Sequence, residues 1–184
     1  MPAASRKLMT SDEFILWAMA QPEGERYELV NGEVVSMSPE RLVHAELKAL
    51  VWLALRTALA ARGLPCAAYP DGVSVKVDEN TTYQPDALVR CGDPLPGDTV
   101  KLHDPVIVVE VISPSSGASD TGAKLEDYFR LPSVRHYLIV RTDSGSVIHH
   151  ERREDGGIVT QILREGMLEL DPPGIAVAVA SFFP

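Results

Sequence analysis

The chain has 184 residues, of which 45% are hydrophobic and 23% are charged, and 17 basic against 26 acidic residues give a formal net charge of −9. The length fits one domain at ~100–200 residues per domain, and the composition excludes disordered, collagen-like and fibrous proteins. The negative charge argues against a protein that coats nucleic acid by general electrostatics, but it allows an enzyme that meets phosphate through a bound cation.

The N-terminal region predicts a short helix followed by a β-hairpin. Thr10 and Glu13 have the spacing of a capping box before an apolar run, which is typical of a helix start. The pair Asn31-Gly32 separates the runs 26–30 and 33–37. Asn-Gly is the strongest sequence signal for a two-residue hairpin turn, because both positions favour positive φ.

A long helix is predicted over residues 39–62. Ser38 has the residue type of an N-cap, Pro39 suits the first helical position, and Gly63 suits the position after the last turn. The segment between them is apolar on most sides. We therefore expect a central helix rather than a surface helix.

Several strands follow this helix. Short β-type runs lie at 66–69, 73–77 and 86–90, and residues 92–104 are rich in Gly, Pro and Asp, which is typical of a loop. Residues 106–112 are the strongest predicted strand. They are apolar on both faces, as expected for a central strand that is covered on both sides.

The C-terminal part predicts a βαβ unit and further strands. A helix over 121–131 and a strand over 136–141 follow the central strand, so we expect parallel strands joined by a right-handed crossover. Two later strands, at 147–152 and 158–164, and an apolar segment at 175–183 complete the chain.

Two acidic residues mark the predicted central strands. Glu110 lies inside a run of six aliphatic residues. A buried carboxylate is costly unless a cation or several donors meet it, so Glu110 is either a site acid or a strand-end residue that reaches solvent or an arginine. Asp86 opens a strand and by itself is a turn-former. On adjacent strands, however, Asp86 and Glu110 could form an oxygen site for Mg²⁺ or Mn²⁺.

Three further residues have both a functional and a structural interpretation. The predicted hairpin turn pairs Glu28 with Val35, so Glu28 is either an edge residue in water or a site acid. Lys124 lies near the start of the helix after the central strand, where it either points back at the end of that strand or lies in solvent. His44 shares an apolar helix face and is either a core residue or a residue that contacts substrate.

Other chemistries have less support. The sequence has no Walker loop, no glycine-rich dinucleotide fingerprint and no GxSxG motif, so nucleotide binding and acyl transfer are disfavoured. His149 and His150 point to opposite faces of a predicted strand, and we interpret them as structural. Cys66 and Cys91 lack the spacing of a zinc site, and we expect them to be reduced and half-buried.

Location and domain organisation are predicted from the same composition. Residues 47–61 form the longest apolar-rich stretch, but charged residues interrupt it, and it is shorter than the ~20 residues of a membrane-spanning helix. Residues 1–8 contain basic residues with no apolar segment behind them, so no signal peptide is predicted. We expect a cytoplasmic protein with no membrane partner, built as a single domain over 1–184 with a flexible N-terminus at 1–9.

Five segments of the sequence have the order and spacing of one known family. They are YELVNGE at 27–33, His44, QPD at 84–86, VVEVISPS at 108–115 and KLEDY at 124–128. Together they resemble the Uma-type restriction endonucleases, a bacterial branch of the PD-(D/E)XK nuclease superfamily. The resemblance covers most of the chain, and the combination of QPD, VVEVISPS and KLEDY makes it specific.

The resemblance implies an α/β (α+β) fold with a restriction-endonuclease-like core. In such a core a mixed β-sheet is flanked by helices, here at 39–62 and 121–131, after an N-terminal helix and β-hairpin. The resemblance also implies a Mg²⁺-dependent endonuclease, with Mn²⁺ as a substitute metal, that hydrolyses phosphodiester bonds in nucleic acid. We expect DNA as the substrate and, by analogy with enzymes that cut two strands, a homodimer.

Roles for five residues are implied by the same resemblance. Asp86 and Glu110 match the two metal-binding acids, helped by the backbone carbonyl of Val111. Glu28 matches an additional acid of the N-terminal hairpin. Lys124 is expected to orient the attacking water or to stabilise the charge of the transition state.

One position departs from the superfamily pattern. The superfamily places a lysine two residues after the second acid, where this chain has Ile112. We interpret Lys124 as its replacement and His44 as a residue that contacts substrate. The departure and the negative charge keep an alternative open, a catalytically inactive nuclease-fold module that acts as a dimerisation or partner-binding protein. A metal-dependent hydrolase of nucleotides is a second alternative.

Overall fold

The computed structural model describes residues 8–112 and 118–184 of the chain. Its helices are α1 (Ser11–Met19), α2 (Leu42–Arg62) and α3 (Ala118–Arg130), followed by a closing 3₁₀ helix (Val179–Phe182). The strands are β1 (Tyr27–Val30), β2 (Glu33–Ser36), β3 (Cys66–Pro70), β4 (Ser74–Lys76), β5 (Thr82–Tyr83), β6 (Ala87–Cys91), β7 (Lys101–Leu102), β8 (Ile107–Ile112), β9 (His136–Arg141), β10 (Ser146–Arg152), β11 (Ile158–Leu163), β12 (Met167–Leu170) and β13 (Ile175–Ala178).

Two mixed sheets and a C-terminal hairpin form the framework. The larger sheet has six strands in the order β11-β10-β9-β8-β6-β3, and only β8 and β9 run parallel in it. The smaller sheet has the order β2-β1-β5-β4-β7, and β12 pairs with β13. The mixed sheet with its flanking helices confirms the predicted fold class.

Strand β8 lies inside the larger sheet, between β6 and β9, and its side chains alternate between two apolar layers. Val109 is buried in a cluster with Val51 of α2, whereas Val108 is buried in a cluster with Tyr128 of α3. Glu110 therefore lies on the same face of the sheet as Val108. These contacts confirm the prediction of a central strand covered on both sides.

The N-terminal elements confirm their local sequence signals. The Thr10 hydroxyl accepts a hydrogen bond from the Glu13 amide, and the Glu13 carboxylate accepts one from the Thr10 amide, which completes the capping box. Asn31 and Gly32 both have positive φ, at 50° and 81°, and Glu28 pairs with Val35 as predicted. The parallel pairing of β8 and β9 around α3 also confirms the predicted βαβ unit, while the handedness of its crossover stays a prediction.

Helix α2 corrects two predictions. It begins at Leu42 with Arg41 in the N-cap position and no side-chain cap, so the prediction of a start at Ser38 and Pro39 was wrong. The physical reason is that Met37 still donates a backbone hydrogen bond to the hairpin residue Arg26, which keeps this segment extended. Gly63 does end the helix, in the left-handed conformation.

Burial also shows that α2 is not a central helix. Leu47, Val51 and their neighbours at helical spacing are buried against the sheet, whereas Leu42 is 85% exposed and Leu53 is 53% exposed. The helix therefore covers the sheet with one face only. The prediction of a central helix was wrong because the apolar residues on the outer face are exposed, and composition alone does not show how wide the buried stripe is.

Two short strands and the pairing of the cysteines were not predicted from the sequence. Strand β7 lies within the predicted loop at 92–104, and the two-residue strands β5 and β7 are too short to show a periodic pattern. Cys66 and Cys91 form a disulfide, so the prediction of reduced cysteines was wrong. The register of β3 and β6 places them directly opposite each other, and their separation of 25 residues hides this proximity in the sequence.

Some predicted features lie outside the described residues. These are residues 1–7 of the predicted flexible N-terminus and the residues 113–115 of the VVEVISPS motif. Within the predicted flexible segment, the amide of Met9 donates to the carbonyl of Gly32 at 2.9 Å. No helix in the described ranges is long and apolar enough to cross a membrane.

A buried histidine pair links β9 and β10. His136 Nε2 lies 3.0 Å from the carbonyl oxygen of Pro172, and His136 Nδ1 lies 2.9 Å from His149 Nε2. Because a carbonyl only accepts, His136 donates from Nε2, and a neutral His136 ring then accepts from His149 at Nδ1. Burial lowers the pKa of each ring to about 4. His150 faces a different partner, the hydroxyl of Thr160.

We expect this pair to destabilise the protein in acid. The unfolded chain binds protons near the ordinary histidine pKa of ~6.5, whereas the folded rings bind them only near pH 4, so the free energy of unfolding falls as pH decreases between these values. Urea denaturation at about pH 7.5 and about pH 5 should show that His149→Gln reduces this loss by roughly 1–2 kcal/mol. Replacing the exposed His103 by Gln is the matched control, and equal losses in all three proteins would contradict the expectation.

Candidate active site

Three buried carboxylates from separate segments of the chain lie close together. Glu28 belongs to β1, Asp86 precedes β6, and Glu110 belongs to β8, and they are 7%, 5% and 8% exposed. The Asp86 amide donates to the carbonyl of Val109, which holds Asp86 beside β8. The Gln84 amide donates to Glu28 Oε1 at 3.0 Å, which ties the hairpin to the same segment. The structure thus brings together the acids that the sequence predicted from distant positions.

Glu110 has two donors on one oxygen. Its Oε1 accepts from the Tyr128 hydroxyl at 2.8 Å and from Lys124 Nζ at 3.2 Å. Burial is the main cause that raises the pKa of Glu110, to about 8; Lys124 opposes this rise, and the charges of Asp86 and Glu28 add to it. Glu110 therefore keeps its proton to a higher pH than an ordinary glutamate.

Lys124 points from α3 back at the strands. Its Nζ lies 3.0 Å from Glu28 Oε1 and 3.2 Å from Glu110 Oε1, and 5.0 Å from the centre of the Tyr83 ring. The side chain is buried, so it is not a solvent lysine. The resemblance leads us to expect a lysine two residues after Glu110, but this position holds Ile112. Ile112 is partly buried and packs in the apolar layer below α3.

Asp86 has donors on both carboxylate oxygens. Oδ2 accepts from the Val111 amide at 2.6 Å and lies 3.5 Å from His44 Nε2, and Oδ1 accepts from Lys48 Nζ at 2.9 Å. Burial would raise the pKa of Asp86, but the His44, Lys48 and Val111 contacts outweigh it and hold the pKa below its ordinary value. Val111 thus contributes its N–H, and metal binding by its carbonyl stays a prediction.

Lys48 is the site residue that the sequence analysis missed. It lies one turn after His44 on α2 and is buried, and its ammonium also contacts Asp71 at 2.8 Å and Glu40. Arg26 contacts the same two acids. A lysine within the apolar stripe of an amphipathic helix was the available signal, since lysine is rarely buried without a partner.

Two tyrosines complete the layer below α3. Tyr128 is fully buried and its pKa lies well above the ordinary value, because of burial and the neighbouring carboxylates. Tyr83 donates to Asp127 at 2.6 Å. Tyr128 is the last residue of the KLEDY motif, one turn after Lys124, so the motif already contained this second donor to Glu110.

The donor set suits a hard cation. In residues 8–112 and 118–184, no group of three or more His, Cys, Asp or Glu side chains is arranged to hold a metal ion. Mg²⁺, however, is commonly bound by one or two carboxylates together with water and substrate phosphate. Asp86 and Glu110 offer two such carboxylates, and a nearby cation would favour the ionised form of Glu110, whose pKa is raised.

Comparison with known proteins gives one family and one fold. A family model described as "Uma2: Putative restriction endonuclease" matches residues 11–180. The uncharacterized protein slr1290 of Synechocystis sp. (strain ATCC 27184 / PCC 6803 / Kazusa) is 26% identical over 180 residues, covering 97% of this chain and 93% of that protein. A crystal structure from Anabaena variabilis ATCC 29413, described as a "putative nuclease belonging to DUF820", is similar with a TM-score of 0.75 at 11% identity, covering 95% of this chain and 97% of that chain. At this identity the structural match shows a shared fold.

The substitution Glu110→Gln is expected to stabilise the metal-free protein at high pH. The pKa of Glu110 is raised from 4.5 to about 8, so between these values the unfolded chain releases a proton that the folded protein retains, and the free energy of unfolding falls as pH rises. Lys124 retains Glu28 as a partner in the variant. Urea denaturation in EDTA should therefore give a gain of about 1–2 kcal/mol at about pH 8 and a smaller difference at about pH 5.

An exposed strand glutamate provides the control for this substitution. Glu169 on β12 is exposed, so Glu169→Gln should leave the free energy of unfolding unchanged at both pH values. If Glu110→Gln is no more stable than the natural protein at about pH 8, then Lys124 and Tyr128 fully compensate the buried charge and the expectation is wrong.

Proposed function

The chain belongs to the Uma2 family, as its sequence motifs predicted, and on this premise we propose that it is a metal-dependent nuclease that hydrolyses phosphodiester bonds. One observation carries the proposal. Glu110 contacts Lys124 at 3.2 Å, and Asp86 lies close enough for its charge to raise the pKa of Glu110, so two buried carboxylates and an ammonium lie in one region. Chemistry at phosphate needs this combination of cation ligands and a fixed positive charge.

Asp86 and Glu110 are the proposed ligands of Mg²⁺, and Mn²⁺ is a proposed substitute. When bound, the metal supplies Lewis acidity to the phosphate and lowers the pKa of a water. Asp86 is prepared for this role because its low pKa keeps it ionised, and the Val111 amide fixes its orientation. Tyr128 fixes the orientation of Glu110 through its hydroxyl.

Lys124 is the proposed catalytic cation of the protein itself. Its three N–H groups can orient a water or stabilise the negative charge that develops on the phosphate. Glu28 is proposed to position Lys124, because its Oε1 accepts from Lys124 while the Gln84 amide holds the same oxygen. His44 is half-buried beside Asp86, which supports its proposed contact with substrate.

DNA is the proposed substrate, because the family is described as "Putative restriction endonuclease". A chain with a net charge of −9 does not attract a polyanion in general. Recognition therefore depends on local positive charge at the site.

The proposed location is the cytoplasm. The Cys66–Cys91 disulfide argues against this location, since disulfides persist mainly in oxidising compartments.

A cleavage assay tests the proposed activity. Supercoiled, linear and single-stranded DNA and RNA are incubated with Mg²⁺, Mn²⁺ or EDTA. We expect metal-dependent cleavage that falls by at least ~10²-fold in Asp86→Asn, Glu110→Gln and Lys124→Met, because each removes a ligand or a charge that stabilises the transition state. Glu169→Gln, the exposed control, should keep full activity.

The other outcomes separate the alternatives. A folded protein that binds neither metal and cuts no substrate would contradict the proposal and favour the inactive, partner-binding module. Hydrolysis of free nucleotides without cleavage of polynucleotides would instead identify a metal-dependent nucleotide hydrolase. Cleavage that Glu110→Gln retains would show that a contaminant or a different site is responsible.

A homodimer is also proposed, with β11 as its contact surface. This strand is at the edge of the six-stranded sheet, and its residues Ile158, Val159 and Ile162 are exposed. The strand contains no charged residue and no proline, the features that usually protect an edge from pairing. A second copy suits this edge, because two antiparallel β11 strands related by a two-fold axis would extend both sheets.

Light scattering during size-exclusion chromatography tests the dimer. We expect a dimeric mass for the natural protein and a monomeric mass for Ile162→Lys, since a buried lysine at the pairing edge is unfavourable. Leu53→Lys introduces the same charge at an exposed apolar position of α2 and should remain dimeric. A monomeric natural protein, or equal masses for both variants, would contradict β11 pairing.

A further inference from the structure

Lys48 holds a position that the activity proposed above does not explain. Its ammonium contacts Asp86 Oδ1 at 2.9 Å, Asp71 Oδ2 at 2.8 Å and Glu40. The Lys48 side chain is 6% exposed, whereas the side chains of Glu40 and Asp71 are 28% and 36% exposed. One buried cation therefore joins a proposed metal ligand to two acids that lie nearer the surface.

The two carboxylate oxygens of Asp86 differ in how easily their hydrogen-bond donors can be displaced. Oδ2 accepts from the backbone amide of Val111 at 2.6 Å, and that amide is fixed within the central strand β8. Oδ1 accepts from the end of a long, flexible lysine side chain. Oδ1 is thus the oxygen at which an incoming cation can replace the present partner.

We infer that Lys48 is a resident counter-ion of Asp86, which a divalent cation must displace from Oδ1, and that Lys48 thereby sets the cation affinity of the site. The inference rests on the proposed function, because the cation is the Mg²⁺ or Mn²⁺ held by Asp86 and Glu110. Its physical basis is repulsion. An ammonium and a divalent cation on one carboxylate oxygen repel each other strongly in a buried setting.

The neighbouring acids make the displacement feasible. When Lys48 leaves Asp86, its ammonium keeps Glu40 and Asp71 as partners, so it is never left as an unpaired buried charge. Arg26 contacts both acids, at 3.3 Å and 2.8 Å, and holds them in place. Lys124 occupies the other side of the cluster on Glu28 and Glu110. Each proposed metal ligand therefore has its own lysine in the metal-free protein.

Isothermal titration of the folded chain with Mn²⁺ and Mg²⁺ tests the inference. Lys48→Met keeps the length of the side chain and removes its charge, so the dissociation constant for Mn²⁺ should fall about tenfold or more. Lys76→Met is the matched control, because Lys76 contacts Asp12 and lies away from the three acids. It should leave the dissociation constant unchanged. Asp86→Asn should abolish binding and shows that the signal comes from this site.

The outcomes distinguish this inference from the proposed function. Metal binding by the natural protein that is equal or weaker in Lys48→Met overturns the inference and leaves the proposed function standing. An absence of binding in both folded proteins overturns the proposed function and this inference together.

A measurement on the natural protein covers the case in which Lys48→Met does not fold. The chain has five lysines, so the side-chain NMR signals of ¹³C,¹⁵N-lysine can be assigned individually. We expect the Lys48 signal to shift during a Mg²⁺ titration with the same midpoint as metal binding, while the Lys76 signal stays in place. A Lys48 signal that is unchanged at metal saturation overturns the inference.

Discussion

Three buried carboxylates in one place are the constraint on which the rest of the structure depends. Glu28, Asp86 and Glu110 come from separate segments, and buried acids are costly unless cations or several donors meet them. Two helices supply the cations: α2 brings Lys48 to Asp86, and α3 brings Lys124 to Glu28 and Glu110. Each helix thus has an electrostatic as well as a hydrophobic reason for its position.

The apolar framework makes this arrangement possible. Strand β8 is buried on both faces, so its odd-numbered valines pack toward α2 while Val108 and Glu110 face the layer of α3 and the smaller sheet. The carboxylate of Glu110 replaces what would be another aliphatic side chain in that layer. Tyr128 and Lys124, one helical turn apart on α3, meet it there. A surface position would not hold the acid or its partners in one geometry.

The two lysines connect the stability of the metal-free protein with its proposed chemistry. Each of them contacts a carboxylate that is a proposed ligand of Mg²⁺, so both acids have a positively charged partner in the metal-free protein. On the proposed function, Lys124 stays beside the reacting phosphate while Lys48 yields its place to the metal. On this proposal, Lys124 and the bound metal place positive charge at the phosphate-binding position, which locally offsets the repulsion of the substrate by the negative net charge.

The sequence by itself determined the hairpin, the central strand and the βαβ unit, because turn residues and apolar runs are local signals. The set of acids with Lys124 was implied by the resemblance to the family, since each of these residues alone also had a structural interpretation. Only the tertiary structure decided the start of α2, its exposed outer face, the pairing of Cys66 with Cys91 and the place of Lys48. These features depend on strand register and on charges that approach from distant segments. A lysine in an apolar helix becomes meaningful only when Asp86 is brought against it.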